Sequence, residues 1–222
     1  MAELYVVATP IGHLGDISVR ALETLKSVRL VACEDTRRTL RLLTHFGIRV
    51  TLLSCRQANE KQAAATVVAV LAEGGNAAYV SDAGTPALSD PGSVLVRAVC
   101  EAGFPVIPVP GPSAFSTLVS VAGAGGKTVV FEGFLSPKEG RRKARLKALL
   151  DFGADFVVYE SPFRILKLFE NLSEFGSERY CCVGREMTKV HEEYIRGSVR
   201  EVYDRLAAHE KQLGEFAVYV SG

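Results

Sequence analysis

The chain has no phosphate-binding loop. It contains no GxxxxGK[ST] and no GxGxxG after its first apolar run. That argues against ATP and against an NAD-type dinucleotide. It has no CxxC pair, and its five cysteines make an odd count. With only four scattered histidines there is no zinc-ligand spacing, so no metal is expected. Cys181 and Cys182 adjoin in a strand-like run and should point to opposite faces. All five thiols read as reduced, in a cytoplasmic protein. Charge of one sign is also missing: the formal net charge is +1, so nucleic acid could be drawn only by local patches. The N-terminus lacks the basic region and the long apolar run of a signal peptide. Residues 102–126 carry no charge, but Pro105, Pro108, Pro110, Pro112 and five glycines forbid one continuous helix there. No membrane association is expected. No repeat or low-complexity segment stands out.

What is present is apolar: 48% of 222 residues are hydrophobic, enough for two small cores. The first half alternates. Strand-like runs at Leu4–Thr9, Leu30–Cys33, Val50–Leu53, Ala77–Ser81 and Pro105–Val109 are separated by helical patterns. Asp35 suits the cap of a helix over Thr36–Phe46. Asn59 with Gln62 reads as a capping box for a helix reaching Glu73. Asp90 with Pro91 reads as the start of a helix ending at Gly103. The strands show no in/out polar alternation, which predicts a mostly parallel five-stranded sheet covered on both faces. The second half predicts strands at Thr128–Glu132, Phe156–Tyr159, Tyr180–Gly184, Glu193–Arg196 and Phe216–Val220, with some antiparallel pairing and so a mixed sheet. Ser198 and Glu201 predict a capping box. The expected organisation is an α/β domain over 1–122, a linker over 123–127 and a second α/β domain over 128–222.

Ligands of parallel sheets sit outside the carboxyl ends of the strands. Unusual loops follow there: Thr9–Gly12, Glu34–Arg37, "SDAGTPALSDPG" at Ser81–Gly92, and Pro110–Ala114. Each alone reads as a turn. Four at one sheet edge read as a binding site for a ligand that needs backbone contacts and carries little negative charge. Glu34 and Asp35 could bind a cationic group or take a proton. "KEGRRKARLK" at Lys138–Lys147 reads either as a solvated helix or as a phosphate-tracking patch that Arg37, Arg38 and Arg41 extend. By itself His191 reads as a surface residue and Met187 as packing.

Taken together, "LYVVATPIGHLGDIS", "EDTRRTLRLLTHFGI", "VSDAGTPALSDPG", "VPGPSAFSTL", "FEGFL", "YESPFRI" and "GREMTKVHEE" resemble the ribosomal RNA small subunit 2′-O-methyltransferase I family, part of the tetrapyrrole methylase superfamily. The likeness runs in order from about residue 3 to residue 220. It implies two α/β domains of the tetrapyrrole methylase type. It implies S-adenosylmethionine as methyl donor, bound in the cleft between the domains. The implied acceptor is a cytidine ribose 2′-hydroxyl in the decoding region of 16S rRNA, within the 30S subunit, and the implied assembly is a homodimer. The donor contacts it implies are Ile11, Asp82, Gly84, Thr85, Leu88, Ser113 and Ala114, with Tyr159, Glu186 and Met187 from the second domain. RNA contacts fall to Arg37, Arg38, Arg41, Lys138, Arg141, Arg142 and Lys143. His13, Phe163 and the segment Ser54–Glu60 depart from the family pattern. The chain also stops near the end of the two-domain core, where many relatives continue.

A ribose hydroxyl is a poor acid, so its methylation calls for a base or a cation that stabilises the developing alkoxide. Asp35, Glu160, Arg185 and Lys189 are candidates, with Lys189 and Glu160 favoured. Two other readings remain: methylation of a small tetrapyrrole-like substrate, and a non-enzymatic ligand-sensing module.

Overall fold

The computed structural model describes residues 1–123 and 125–222. Two compact units divide it, Met1–Ser113 and Ala114–Gly222. In the first unit the strands are β1 (Leu4–Val7), β2 (Leu30–Cys33), β3 (Thr51–Ser54), β4 (Ala77–Val80) and β5 (Val106–Val109). Between them run α1 (Val19–Ser27), α2 (Thr36–His45), α3 (Glu60–Ala72) and α4 (Ser93–Glu101). The sheet order is β3-β2-β4-β1-β5, and every pair is parallel.

The continuous apolar runs have a direct cause. Leu4, Leu30, Ala32, Ala77 and Tyr79 face one side, packed on Ala63, Val67 and Leu71 of α3 and Leu95 and Val99 of α4. The alternate residues Val7, Val31, Cys33, Ala78 and Val80 face the other side, packed on Ala21 and Leu25 of α1 and Leu43 of α2. Both faces are dry, so neither set can be polar. The same arrangement sends the loops after β1 and β2 to one face and those after β3 and β4 to the other. β4 lies between β2 and β1, so its loop leaves opposite to both neighbours and opens crevices at the carboxyl edge.

Asp35 caps α2 as expected, its side chain accepting from the Arg37 amide. Two other starts differ from expectation. Asn59 makes no side-chain cap to α3. Its Oδ1 accepts from the Arg56 amide at 2.7 Å and its Nδ2 donates to the Ser54 carbonyl at 3.0 Å, which folds the β3–α3 loop instead. Helix α4 does not begin at Pro91 under an Asp90 cap. It begins at Ser93, and its first amides are taken by Glu60 from far upstream.

The second unit holds α5 (Ala114–Ala122), β6 (Val129–Phe134), α6 (Glu139–Phe152), β7 (Asp155–Glu160), α7 (Ile165–Gly176), β8 (Tyr180–Arg185), β9 (Glu193–Ser198), α8 (Val199–Ala207) and β10 (Phe216–Val220). Its sheet is mixed, in the order β6-β7-β10-β8-β9. β6 and β7 are parallel, while β10 runs antiparallel to β7 and β8, and β9 to β8. Helices α6, α7 and α8 cover one face through Leu146, Leu150, Phe169, Val202 and Leu206. Helix α5 packs against β8 and β10. The Tyr180 hydroxyl donates to the Ala122 carbonyl at 2.6 Å and Arg196 donates to the Val121 carbonyl at 2.9 Å, so α5 is tied to this sheet. The units therefore part at Ser113, ahead of the Gly-rich stretch 123–127, of which Ala124 lies outside the described residues. Ser198 and Glu201 form the expected capping box on α8. Cys181 enters the core and Cys182 is equally buried on the other face; all five thiols are free. No helix among the described residues is long and apolar enough to cross a membrane.

Candidate functional site

Three loops converge at the carboxyl edge of the first sheet. Thr9 after β1 and Gly84 after β4 exchange two backbone hydrogen bonds of 2.9 Å in an isolated antiparallel bridge. The Thr85 hydroxyl donates to the carbonyl of Pro112, after β5, at 3.2 Å. Gly84 has φ of +81°, and a Cβ there would lie 3.4 Å from Ile11 Cγ2 and 3.9 Å from the Pro112 carbonyl. Ile11, Gly84, Thr85 and the segment leading to Ser113 are thus brought together, with bare backbone at their centre. Asp82 is turned away from them. Its carboxylate accepts from the Asp35 amide at 2.9 Å and stands 3.6 Å from Arg38, so it ties the β4 loop to the β2 loop.

The backbone of this edge is strained. Four non-glycine residues among those described have left-handed φ: Ala87, Ser89, Glu186 and Thr188. Ala87 and Ser89 sit in the loop after β4, at this edge; Glu186 and Thr188 belong to the second unit, in the loop after β8. Each such residue costs roughly 1 kcal/mol or more, and such strain persists where the surroundings enforce it, commonly at ligand sites.

Beside the converging loops lies an open hollow of about 880 Å³, lined from the ends of β2, β3 and β4. Its wall carries Glu34, Asp35, Asp82 and Asp90, with Arg37, Arg56 and Gln57. The carboxyls are not equivalent. The Arg37 side chain and amide bind Asp35 and hold its carboxyl far below the usual range. Burial raises Glu34, and the charge of Asp82 adds to that against the pull of Arg38. Burial pushes Asp90 up to about 6, with Glu34 adding to it and a hydrogen bond to Ser81 opposing it. Asp90 therefore changes protonation close to neutrality, which suits a group that accepts a proton. The sequence offered Asp90 only as a helix cap; no local signal tells that it lines a hollow and bonds to Ser81 instead.

In the second unit, β6, β7 and β8 end at one edge. Tyr159 packs edge-on against Phe131 and Phe134, with ring centroids 5.0 and 5.7 Å away. Met187 is buried, and a Cβ on Gly184 would fall 2.5 Å from its sulfur. Glu186 accepts from the Glu215 amide and from Lys189 Nζ, both at 2.8 Å.

The two groups favoured for proton handling are occupied. Glu160 is 2% exposed, and its Oε1 accepts from the Ser161 amide and from Arg164, both at 2.7 Å. Buried and paired with Arg164, it is a structural ion pair rather than the expected proton acceptor. Burial would lower Lys189, but its contacts with Glu186 and Glu215 outweigh that and raise it. Lys189 thus remains a cation and can stabilise negative charge, but it is no base. Arg185 pairs with Glu193 at 3.4 Å.

The basic run on α6 also dissolves into local pairs. Arg142 is 4% exposed; its Nε donates to Asn171 at 2.8 Å and another guanidinium nitrogen donates to the Pro137 carbonyl at 3.3 Å. It cannot meet a phosphate, and its expected RNA contact is withdrawn. Lys143 pairs with Glu139 and Glu174, Arg145 with Glu132, and Lys147 with Asp151. Lys138, Arg141 and, on α2, Arg41 are exposed. Arg142→Ala is expected to lower stability in urea by about 2–3 kcal/mol, because it leaves buried acceptors unpaired, while Arg141→Ala stays near wild type. Equal stability of the two variants would return Arg142 to the surface.

The family model described as Tetrapyrrole (Corrin/Porphyrin) Methylases matches residues 3–203. A protein of Borrelia garinii called ribosomal RNA small subunit methyltransferase I is 44% identical over 219 residues, 98% of either chain. A protein of the same name from Thermotoga maritima is 43% identical over 222 residues, covering 100% of this chain and 99% of that one. Among solved structures, the methyltransferase CobJ superposes with a TM-score of 0.73 at 17% identity, covering 100% of this chain and 95% of that chain. At that identity the likeness concerns the fold alone.

Proposed function

The chain belongs to the tetrapyrrole methylase family, and within it to the ribosomal RNA small subunit methyltransferase I group; on that premise we propose that it methylates the 2′-hydroxyl of a cytidine ribose in the decoding region of 16S rRNA, with S-adenosylmethionine as donor. The observation that supports a ligand at this edge is the strained loop after β4, held closed onto the loops after β1 and β5.

The residues present fit such a donor. Buried, left-handed Gly84 lets the loops after β1, β4 and β5 close on one another, with Ile11 3.4 Å from where a Cβ would stand, and leaves exposed Thr85 and half-buried Leu88 beside it for a ligand. Ile11, Gly84, Thr85, Leu88, Ser113 and Ala114 are proposed to hold it, and the family motif adds Tyr159, Glu186 and Met187. When bound, S-adenosylmethionine supplies an electrophilic methyl group on a sulfonium. Everything else falls to the protein. The loops fix the geometry, and positioning alone can supply much of a methyl transfer rate. Asp90, in the hollow beside these loops, is the carboxyl poised to take the hydroxyl proton. Protonated Lys189 is proposed to favour the developing alkoxide. RNA contacts are proposed for Arg37, Arg38, Arg41, Lys138, Arg141 and Lys143; those already in surface ion pairs can exchange a carboxylate for a phosphate at little cost. The protein is proposed to act as a cytoplasmic homodimer on the 30S subunit.

The test is transfer of labelled methyl from S-adenosylmethionine to 30S subunits lacking the modification, with naked 16S rRNA and corrin precursors alongside. Label on one cytidine ribose of the 30S subunit is the expected result. Label on the corrin precursor alone would assign a tetrapyrrole substrate instead. Donor binding without transfer to any substrate would leave a sensing module.

A further inference from the structure

The loop from β4 to α4 is anchored at its near end by the Thr9–Gly84 bridge. Its middle bends through the left-handed Ala87 and Ser89, and it ends on Gly92 at φ of +129°. A Cβ at Gly92 would fall 2.4 Å from the Tyr79 ring, so that turn admits only glycine. Something must hold this far end. The Tyr79 hydroxyl donates to the Pro91 carbonyl at 2.6 Å. The stronger hold comes from Glu60, the first residue of α3. Its Oε1 accepts from the amides of Gly92, Val94 and Leu95 at 2.9, 2.8 and 3.1 Å. Glu60 is 6% exposed, and among the described residues no cation pairs with it. Its charge instead meets the positive ends of two helices, α3 and α4.

Asp90 stands two residues before the N-cap position of α4, Gly92, so it is not the cap of this helix. Glu60 occupies the first amides of α4, and Asp90, on the loop just ahead of them, lines the hollow and bonds to Ser81.

We propose that Glu60 is a positioning residue for the methyl-transfer site: by capping α4 from a distance it latches the donor loop and keeps the Asp90 carboxyl in the hollow. This rests on the reading of the loop and hollow as the donor and acceptor sites. Without Glu60 the first amides of α4 lose their acceptor, and the far end of the loop that carries Asp90 is no longer held. The loop then relaxes and the Asp90 carboxyl becomes more open to water, which weakens the burial that raises it.

The experiment compares wild type with Glu60→Ala and Glu60→Gln. It measures calorimetric affinity for S-adenosylmethionine, the pH profile of methyl transfer to 30S subunits, and amide exchange at Gly92, Val94 and Leu95. Glutamine keeps an acceptor oxygen, so Glu60→Gln should remain within about threefold of wild type in donor affinity. Glu60→Ala should weaken the donor about tenfold or more, since three charge-assisted bonds are lost. It should also move the acid limb of the pH profile to lower pH and speed exchange at the three amides. A lower melting temperature with donor affinity and acid limb unchanged would make Glu60 merely structural and overturn the proposal. If Glu60→Ala does not fold, failure of Glu60→Gln to restore wild-type affinity and acid limb overturns it equally. Wild type that binds no donor would overturn the proposed function and the positioning role with it, whereas fast amide exchange in Glu60→Ala alone would still report the latch.

Discussion

An Asp90→Asn variant is expected to lose methyl transfer by about two to four orders of magnitude, the usual worth of a general base, and yet to be more stable than wild type at pH 8. Burial and the neighbouring Glu34 push the Asp90 carboxyl up to about 6, above its ordinary value of 3.8. The folded protein thus holds this proton more tightly than the unfolded chain does. Stability from this group is greatest below pH 3.8, falls as the pH rises towards about 6, and stays reduced above that. Asparagine carries no charge and escapes the loss while keeping a side chain that can bond to Ser81. The melting temperatures of variant and wild type should therefore diverge between pH 4 and pH 6 and remain apart at pH 8, while donor affinity is unchanged. Calorimetric melting across that range, with transfer assays at pH 8, reads both effects. Unchanged activity would remove Asp90 from proton transfer; a variant less stable at pH 8 would show that the carboxyl is not strained in the fold.

The second large effect is expected from Thr85→Arg. Thr85 is exposed, and so is its hydrogen bond to the Pro112 carbonyl. Losing it should shift stability by no more than about 1 kcal/mol. The guanidinium, however, would stand where Ile11, Gly84 and Pro112 meet, filling the site with bulk and opposing a sulfonium with like charge. Donor binding should fall below calorimetric detection, a loss of about a hundredfold or more on ordinary like-charge and steric grounds, while the melting curve stays close to wild type. Unchanged donor affinity would take the β4 loop out of the donor site.

The strands were legible because both faces of the first sheet are dry. Leu30–Cys33 and Phe216–Val220 stand where the apolar runs put them. The start of α4 was not legible, since its cap comes from Glu60, thirty-two residues before Gly92, and propensity sees only neighbours. Arg142 could have been found. It shares helical spacing with Leu146, Leu149 and Leu150, all buried, so the apolar stripe of α6 continues through it. Read as one charge run, that face was hidden. Asp90 and Glu34 show the reverse limit. Their residue types were noted, but how far each is lifted from the ordinary carboxylate range depends on strands that meet only in the fold.

The five free thiols have a practical consequence. Cys33, Cys55, Cys181 and Cys182 are buried, and burial raises each above its ordinary value, Cys55 and Cys181 to about 12. At neutral pH they present almost no thiolate to a reagent. Cys100 alone is exposed, near the end of α4. A maleimide fluorophore should therefore attach at one position of the unaltered protein, on the helix whose other end Glu60 holds. Ligand titrations could then be followed optically without engineering any cysteine in or out.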